Sequence, residues 1–569
     1  MSFVFASPHV VSSVATGLAN VESSVTEAQA VFAAPITSMA AAADDEVSQA
    51  IARLFSGHGQ AFTASGMQAA GLVGRFAQAV STAAGAYGQA ESSAVSTLSN
   101  GVHSMFDAVL APLRSALPAA TVPELGLIVG GSSISVPQWI PGYISNANAL
   151  FIQRILPGAQ SFGVFTPEGL SPIYSGVKSL TLDASVAQGR FMLDTYIQGA
   201  LKTFNIADTV AVYGESQSST IAGFVMQDLQ AAGIPANDVK FTLVGNPSNP
   251  DGGLLERFNG LTLPSLGITF SGATPPDTPY QTQIWTQQYD GFADFPKYPI
   301  NFLADLNAFL GIQYVHPTYR GLTDSILNNA IQLPTTHDYH GDTTYYMIPE
   351  SSLPYPHNYL PLLRPLLDLP VIGKPLADLL QPDLSQIINL GYSNPMNLGW
   401  DSGQANVPTT FGLFPPLSQI GTALGNMGPG AQQGFNAMMH DFSQEFVGAM
   451  AQPVIPLTNP WAPLTPTGHA SAPSLPTLPS PVNVVNAVTG SVSAAYSTLL
   501  PMADLATALG INMPMYDATL FVENLTNPLY AIGLPVAADV GLVTLAGGIA
   551  AMVGIETVEK IGSEFASLL

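Results

Sequence analysis

No cysteine occurs anywhere in the 569 residues. That absence excludes disulfides, thiolate metal sites and a cysteine nucleophile together, and leaves the redox compartment open. Charge is nearly as scarce, since only 9% of residues are Asp, Glu, Lys or Arg, against about a quarter in an average soluble protein. The charge present is one-sided: 14 Lys+Arg face 38 Asp+Glu, for a formal net charge of −24. Such a chain cannot neutralise a phosphate backbone, so nucleic acid is excluded as a partner. P-loop, strand-linked G-x-G-x-x-G and H-E-x-x-H motifs are all missing, and no cofactor is expected. The opening MSFVFASPHVV has no basic n-region and does not read as a classical signal peptide. The most membrane-like run, VGLVTLAGGIAAMVGI at 540–555, is shorter than the roughly 18–20 residues that span a bilayer. It reads as a buried or interfacial helix.

What the chain does have is apolar material, 47% of its residues, and length enough for two to four domains. So little surface charge suits contact with a partner, a membrane or a waxy envelope. From residue 1 to about 95, Val11, Val14, Leu18, Val21 and Val25 recur at spacings of three and four, a helix with one apolar seam. After Pro35 and AAAADDE, the residues Phe55, Phe62, Ala69 and Phe76 recur every seven on a second helix. Two helices cannot bury two seams, so either a bundle partner or the rest of the chain must cover them. Residues 96–121 read as a linker. From 122 to about 400, β-like runs (LGLIVGG, DTVAVYG, VKFTLVG, QIWTQQY) alternate with helical stretches such as SVAQGRFMLDTYIQGAL. That alternation predicts a parallel sheet covered by helices. Residues 401–482, densest in proline across PLTPTGHASAPSLPTLPSP, read as a linker or a wrapping segment. Residues 483–569 are apolar and helix-prone, without a chemical motif.

Within the sheet region, VYGESQSSTIAG at 212–223 has the layout of a nucleophile elbow. An apolar strand runs through Gly214-Glu-Ser216-Gln-Ser218 directly into a helix, with Ser218 where a second glycine is usual. A serine hydroxyl needs a base to take its proton and an acid to orient that base. Of nine histidines, His316, His337, His340 and His357 follow the elbow within the sheet region. His316, in GIQYVHPTY after a β-like run, suits the base; His337 and His340 lie in the polar turn THDYHGDTT. A metal on His337, Asp338, His340 and Asp342 is disfavoured, because such turn residues are usually solvated. For the acid, QIWTQQYDGFADFP offers Asp290 at the strand end, with Asp294 as the alternative. The oxyanion donors fall to the backbone N–H of Gln217 and to the loop Gly130-Gly131-Ser132 after an early strand.

Two resemblances complete the reading. The MSFV start, Pro8, the alanine-rich hairpin and Tyr87-Gly-Gln-Ala-Glu91 together resemble the mycobacterial PE domain, although Pro8-His9 replaces the usual Pro-Glu. This implies a PPE-family partner in a four-helix bundle, and type VII secretion to the envelope or medium through a Y-x-x-x-[D/E] element at Tyr87 and Glu91. The Gly-Gly loop, G-x-S-x-S, YDGFADFP, YVHPTY and TTYYMIPESSLPYPH, over roughly 122–375, resemble the PE-PPE domain, an α/β serine hydrolase related to cutinases. His316-Pro317 stands where that family usually has His-Gly. The implied chemistry is hydrolysis of lipid or other acyl esters through Ser216, Asp290 and His316, with acyl transfer to a sugar hydroxyl, or an inert hydrolase fold used for surface interaction, as the alternatives.

Overall fold

The computed structural model describes residues 124–566 except 172–179, 204–205 and 452–480, together with scattered positions between 19 and 82. The chain divides into two compact units, Met1–Leu113 and Arg114–Leu569.

In the first unit the described positions from 19 to 37 and from 46 to 82 are helical. Asp45 caps the second stretch, its carboxylate accepting the Ser48 N–H at 2.8 Å, which satisfies one of the orphan donors at a helix start. A Cβ on Gly59 would lie 2.0 Å from the Ile36 carbonyl, so glycine there lets the two stretches touch. Ala70 and Ala77 are buried, whereas Ile51, Leu54, Phe55 and Met67 are exposed within this unit. The valine-leucine seam of the first helix, Phe62, Ala69 and Phe76, and the Tyr87 and Glu91 pair lie outside the described residues.

The second unit is built on a mostly parallel sheet flanked by helices. Its seven-stranded sheet comprises β1 (Leu125–Ile128), β2 (Gln160–Gly163), β3 (Val210–Glu215), β4 (Val239–Val244), β7 (Gln281–Gln287), β8 (Ile331–Gln332) and β9 (Thr343–Ile348), in the order β2-β1-β3-β4-β7-β9-β8. Strands β5 (Thr262–Leu263) and β6 (Ile268–Thr269) form a separate antiparallel pair. All pairings in the large sheet are parallel except β8 with β9 at one edge. Both β1 and β3 are buried along their whole length, as expected of parallel strands covered on both faces. The helices α1 (Leu182–Gln198) and α2 (Gln217–Ala231) pack together where Gly189 meets Ile221: a Cβ at 189 would approach its Cδ1 to 2.5 Å.

Two further glycines set the sheet against α3 (Phe302–Tyr314). A Cβ at Gly311 would sit 1.8 Å from the Tyr289 carbonyl, and one at Gly291 would sit 2.0 Å from that of Ala308. The loop leaving β7 is therefore pressed onto the helix that delivers His316. This corrects the sequence reading at one point. The run before His316 is the end of α3, and His316 opens a 3-10 helix, His316–Gly321. The short run GIQYV reads as β-like in sequence because both faces of this helix are covered, which erases its amphipathic period.

After residue 400 the chain stays on the body. Ala405, Phe411 and Leu413 are buried, and α5 (Leu417–Ala451) lies along α4 (Gly373–Asn389). There a Cβ on Gly434 would come within 2.3 Å of the Leu379 carbonyl, and Lys374 pairs with both Asp378 and Asp441. Residues 401–451 thus lie on this body, and Gly430 and Gly434 stand where α5 meets α4. Three helices follow: α6 (Pro481–Thr507), α7 (Met513–Glu523) and α8 (Pro528–Ala566). Their apolar residues Leu505, Leu520, Leu534, Leu542 and Leu545 share one core with Phe258, Phe295 and Phe309 of the α/β body. The expected run at 540–555 is part of a longer apolar stretch, Pro528–Ile555, of 28 residues and mean hydropathy 1.9. Asp539 breaks the run in sequence without breaking the helix. By length and composition this helix alone among the described residues could cross a membrane, and 39% of its apolar window is buried in the body.

Candidate active site

Strand β3 lies near the middle of the sheet, between β1 and β4, and ends at Glu215. Ser216 follows with φ +60° and ψ −121°. That backbone is costly for a non-glycine residue and is the geometry of a strand-to-helix elbow. Its N–H donates to the Val244 carbonyl at 3.0 Å. Gly214 is required by the turn, because a Cβ there would meet the Ser218 carbonyl at 3.0 Å and the Ser219 nitrogen at 3.1 Å. Ser218, the departure from the usual second glycine, is more than small. Its hydroxyl accepts the Glu215 N–H at 2.8 Å and donates to the Glu215 carbonyl at 3.0 Å, closing the turn.

Asp290 is fully buried in the loop after β7. Both carboxylate oxygens lie 2.9 Å from His316 Nδ1. The Phe292 N–H donates to Oδ1 at 3.0 Å and the Tyr319 hydroxyl to Oδ2 at 2.8 Å. Tyr319 is held in turn by the Gln287 N–H at 2.8 Å. Burial and the Asp290 carboxylate push the Tyr319 hydroxyl well above its ordinary range, so near neutrality it keeps the proton that it donates to Asp290. Phe292 stands edge-on to the imidazole at 4.8 Å. Gly245, beside the residue that holds the Ser216 N–H, leaves so little room that a Cβ would approach His316 Cε1 to 2.9 Å. His316 Nε2 is buried and carries no hydrogen bond among the described residues, so Ser216 and His316 are not hydrogen-bonded here. Such bonds often tighten only with substrate in place.

Asp294, the alternative acid, points elsewhere. Its carboxylate accepts the Tyr289 N–H at 2.8 Å, and burial raises its pKa well above the usual carboxylate range. His337 and His340 sit on an exposed turn, with His337 paired to Asp338 at 3.0 Å. No cluster of three metal-ligating side chains occurs among the described residues. His357 lies beside Arg364, which together with burial lowers its pKa.

The loop Gly130-Gly131-Ser132 abuts the elbow. A Cβ on Gly131 would lie 3.2 Å from Ser216 Cβ. Gln217 opens α2, so its backbone N–H belongs to the first turn, which has no carbonyl partner within the helix. Its side chain clamps the neighbouring loops: Nε2 donates to Ser132 Oγ at 3.2 Å and to the Gly169 carbonyl at 2.8 Å, and Oε1 accepts from Ser185 at 2.6 Å. The Ser132 hydroxyl, already accepting, keeps its own proton to donate. Beside this loop, the backbone carbonyl of Glu168 holds the Ser133 N–H at 2.8 Å.

Sequence reasoning passed over Tyr319, Gly245, Glu215, Tyr143 and Arg320. Tyr319 and Arg320 were within reach, three and four residues beyond His316 on one helix turn. Nothing local marks Tyr143 or Gly245.

The elbow ends a central parallel strand, and an Asp-His pair comes from the loop after β7 and the helix that follows, on the α/β fold expected from the sequence. Residues 157–393 match the PE-PPE domain and residues 4–94 match the PE family. The chain is 36% identical over 468 residues to PE family protein PE3 of Mycobacterium tuberculosis, covering 81% of this chain and 92% of that one. It is 41% identical over 436 residues to Esterase PE16 of the same organism, covering 75% and 76%. A PPE family protein, PPE28, is 39% identical over 464 residues, covering 79% and 68%. The chain therefore belongs to the mycobacterial PE family and carries a PE-PPE domain.

Proposed function

We propose that the chain is a carboxylic-ester hydrolase acting on acyl esters, lipids among them. The observation that carries this is the Asp290–His316 pair set against Gly245, next to a serine in elbow geometry. The similar Esterase PE16 supports it. In this reading His316 Nε2 takes the Ser216 proton as Oγ attacks the acyl carbonyl. The oxyanion is held by the Gln217 N–H and by the Gly131/Ser132 loop. His316 then returns its proton to the departing alcohol, and water, deprotonated by the same nitrogen, releases the acid. Asp290 fixes the Nδ1–H tautomer, and Tyr319 fixes Asp290.

The N-terminal unit serves, in the same proposal, as the docking element for a PPE-type partner, with Ile51, Leu54 and Phe55 on the face to be covered. Tyr87 and Glu91 are the export signal read by type VII machinery, and the enzyme works at the envelope or beyond it. Turnover of a p-nitrophenyl ester chain-length series by wild type and Ser216→Ala tests the enzymatic part. Wild type should turn over and label with a fluorophosphonate, and the variant should do neither. Ester turnover near wild type in Ser216→Ala would defeat the assignment, and an unlabelled wild type would favour an inert fold. Acyl-transfer product formed only when a polyol acceptor is added would make the enzyme a transferase with the same residues.

A further inference from the structure

We infer that Glu215 is a positioning residue that locks the elbow, the oxyanion loop and the histidine helix into one register. The inference rests on the functional reading above. Glu215 occupies the variable position of G-x-S-x-S, where the turn itself asks nothing of the side chain. Yet its carboxylate is buried and receives three groups from three directions. The Tyr143 hydroxyl donates at 2.7 Å, from a short helix that follows the Gly130-Gly131 loop. The Tyr213 hydroxyl donates at 3.0 Å, from the strand that carries Ser216. Arg320 Nε lies 3.5 Å from the other oxygen, on the same 3-10 helix turn as His316.

The outer members brace one another as well. The Arg320 guanidinium sits over the Tyr143 ring at 5.0 Å, and its backbone carbonyl accepts the Asn146 side-chain amide at 3.1 Å. Tyr143 Oη lies 3.4 Å from the Val129 carbonyl, immediately before the Gly-Gly loop. Burial, then the Glu215 charge, raises both tyrosine hydroxyls well above their ordinary range, so each stays protonated and donating. A buried carboxylate is costly unless paired and hydrogen-bonded. Here its partners belong to the pieces whose mutual placement sets nucleophile, base and oxyanion donors. Glu215 touches no reacting atom in this scheme; it acts through the elements it joins.

A misplacement near 1 Å costs on the order of 10²-fold in rate, so Glu215→Gln should lower kcat by about 10–100-fold. KM should stay within about twofold, because the substrate contacts are untouched and only the approach of reacting groups is lost. Inactivation by a fluorophosphonate should slow in step. Arg320→Gln should show the same kcat loss and Arg320→Lys should recover most of it. The Glu215→Gln/Arg320→Gln double variant should lose less than the product of the single losses, since each removes the same link. Wild-type kcat in folded Glu215→Gln, a loss confined to KM, or multiplicative losses in the double variant would overturn the inference. If Glu215→Gln does not fold, Tyr143→Phe removes one donor at constant shape; it should cost kcat several-fold, and wild-type kcat there would equally overturn it. Ser216→Ala run alongside separates the two levels. Turnover surviving in that variant defeats the functional reading, whereas a dead Ser216→Ala beside a fully active Glu215→Gln defeats only the positioning role.

Discussion

Replacing Asp290 by asparagine tests the arrangement most sharply, because every hydrogen bond to that side chain is accounted for. Oδ1 accepts two backbone N–H groups, from Phe292 at 3.0 Å and Ala293 at 3.4 Å, which cannot rotate away. The amide nitrogen must therefore take the Oδ2 place, facing His316 Nδ1 at 2.9 Å and the Tyr319 hydroxyl at 2.8 Å. Two N–H groups then oppose one another unless His316 moves its proton to Nε2, the tautomer that cannot accept from Ser216. The variant also leaves the imidazolium formed during attack without its counter-charge. Loss of this function in serine triads costs on the order of 10³–10⁴ in kcat, or about 4–5.5 kcal/mol of transition-state stabilisation. Size and shape are nearly unchanged, so thermal unfolding should shift little. Asp294→Asn is the control. That carboxyl is buried, its pKa is raised well above the usual range and it accepts one backbone N–H; a neutral amide should replace it with kcat within a few-fold of wild type. Steady-state kinetics on a short p-nitrophenyl ester for both variants decide the matter. A crippled Asp294→Asn beside a mild Asp290→Asn would refute the reasoning.

Three further outcomes follow from the same geometry. Gly245→Ala should abolish most turnover and also destabilise the fold. Gly245 holds φ +56° and its Cβ would press His316 Cε1 at 2.9 Å and Tyr319 Cε2 at 2.8 Å; unchanged kinetics would show the imidazole is not held there. Burial raises Glu168 from 4.5 to about 8, so the folded chain keeps a proton that the unfolded chain releases as pH passes 4.5. Its contribution to stability is thus fully present below pH 4.5 and is lost as pH rises toward 8. Glu168→Gln should raise the unfolding midpoint at pH 7, by at most about 3 kcal/mol in free energy, and change nothing near pH 4. Glu350, also raised to about 8 by burial, keeps a slope of the same sign, and an equal effect of Glu168→Gln at both pH values would contradict the linkage. Replacing Tyr87 and Glu91 together with alanine should leave esterase activity in the lysate while removing it from envelope and medium; undiminished export, read by immunoblot of the fractions, would refute the secretion reading.

The sequence by itself carried the class of fold and the layout of the elbow. Strands β1, β3, β4 and β7 announce themselves as short apolar runs because parallel strands are buried on both faces. The elbow is equally local: φ above zero at Ser216 and the tight turn behind it demand small residues at fixed offsets, and 214 and 218 supply them. Chain order and the strand-end position favour Asp290 as the acid and keep Asp294 as the alternative. That choice depends on which carboxylate faces His316, and it is made by Gly291 and Gly311 seating the β7 loop on α3 across about 20 residues of chain. The GIQYV run before His316 reads as β-like, and the 401–482 segment as a linker or a wrapping segment, for one reason. Period and composition report a residue's own exposure pattern, and an element covered on all sides, or a glycine used for close approach, carries no such pattern. The same limit hides the Glu215, Tyr143 and Arg320 contact, whose members stand at 215, 143 and 320 in sequence yet meet within 2.7 to 3.5 Å. Local sterics write the nucleophile into consecutive residues, whereas the partners of a buried charge are set only when distant elements pack.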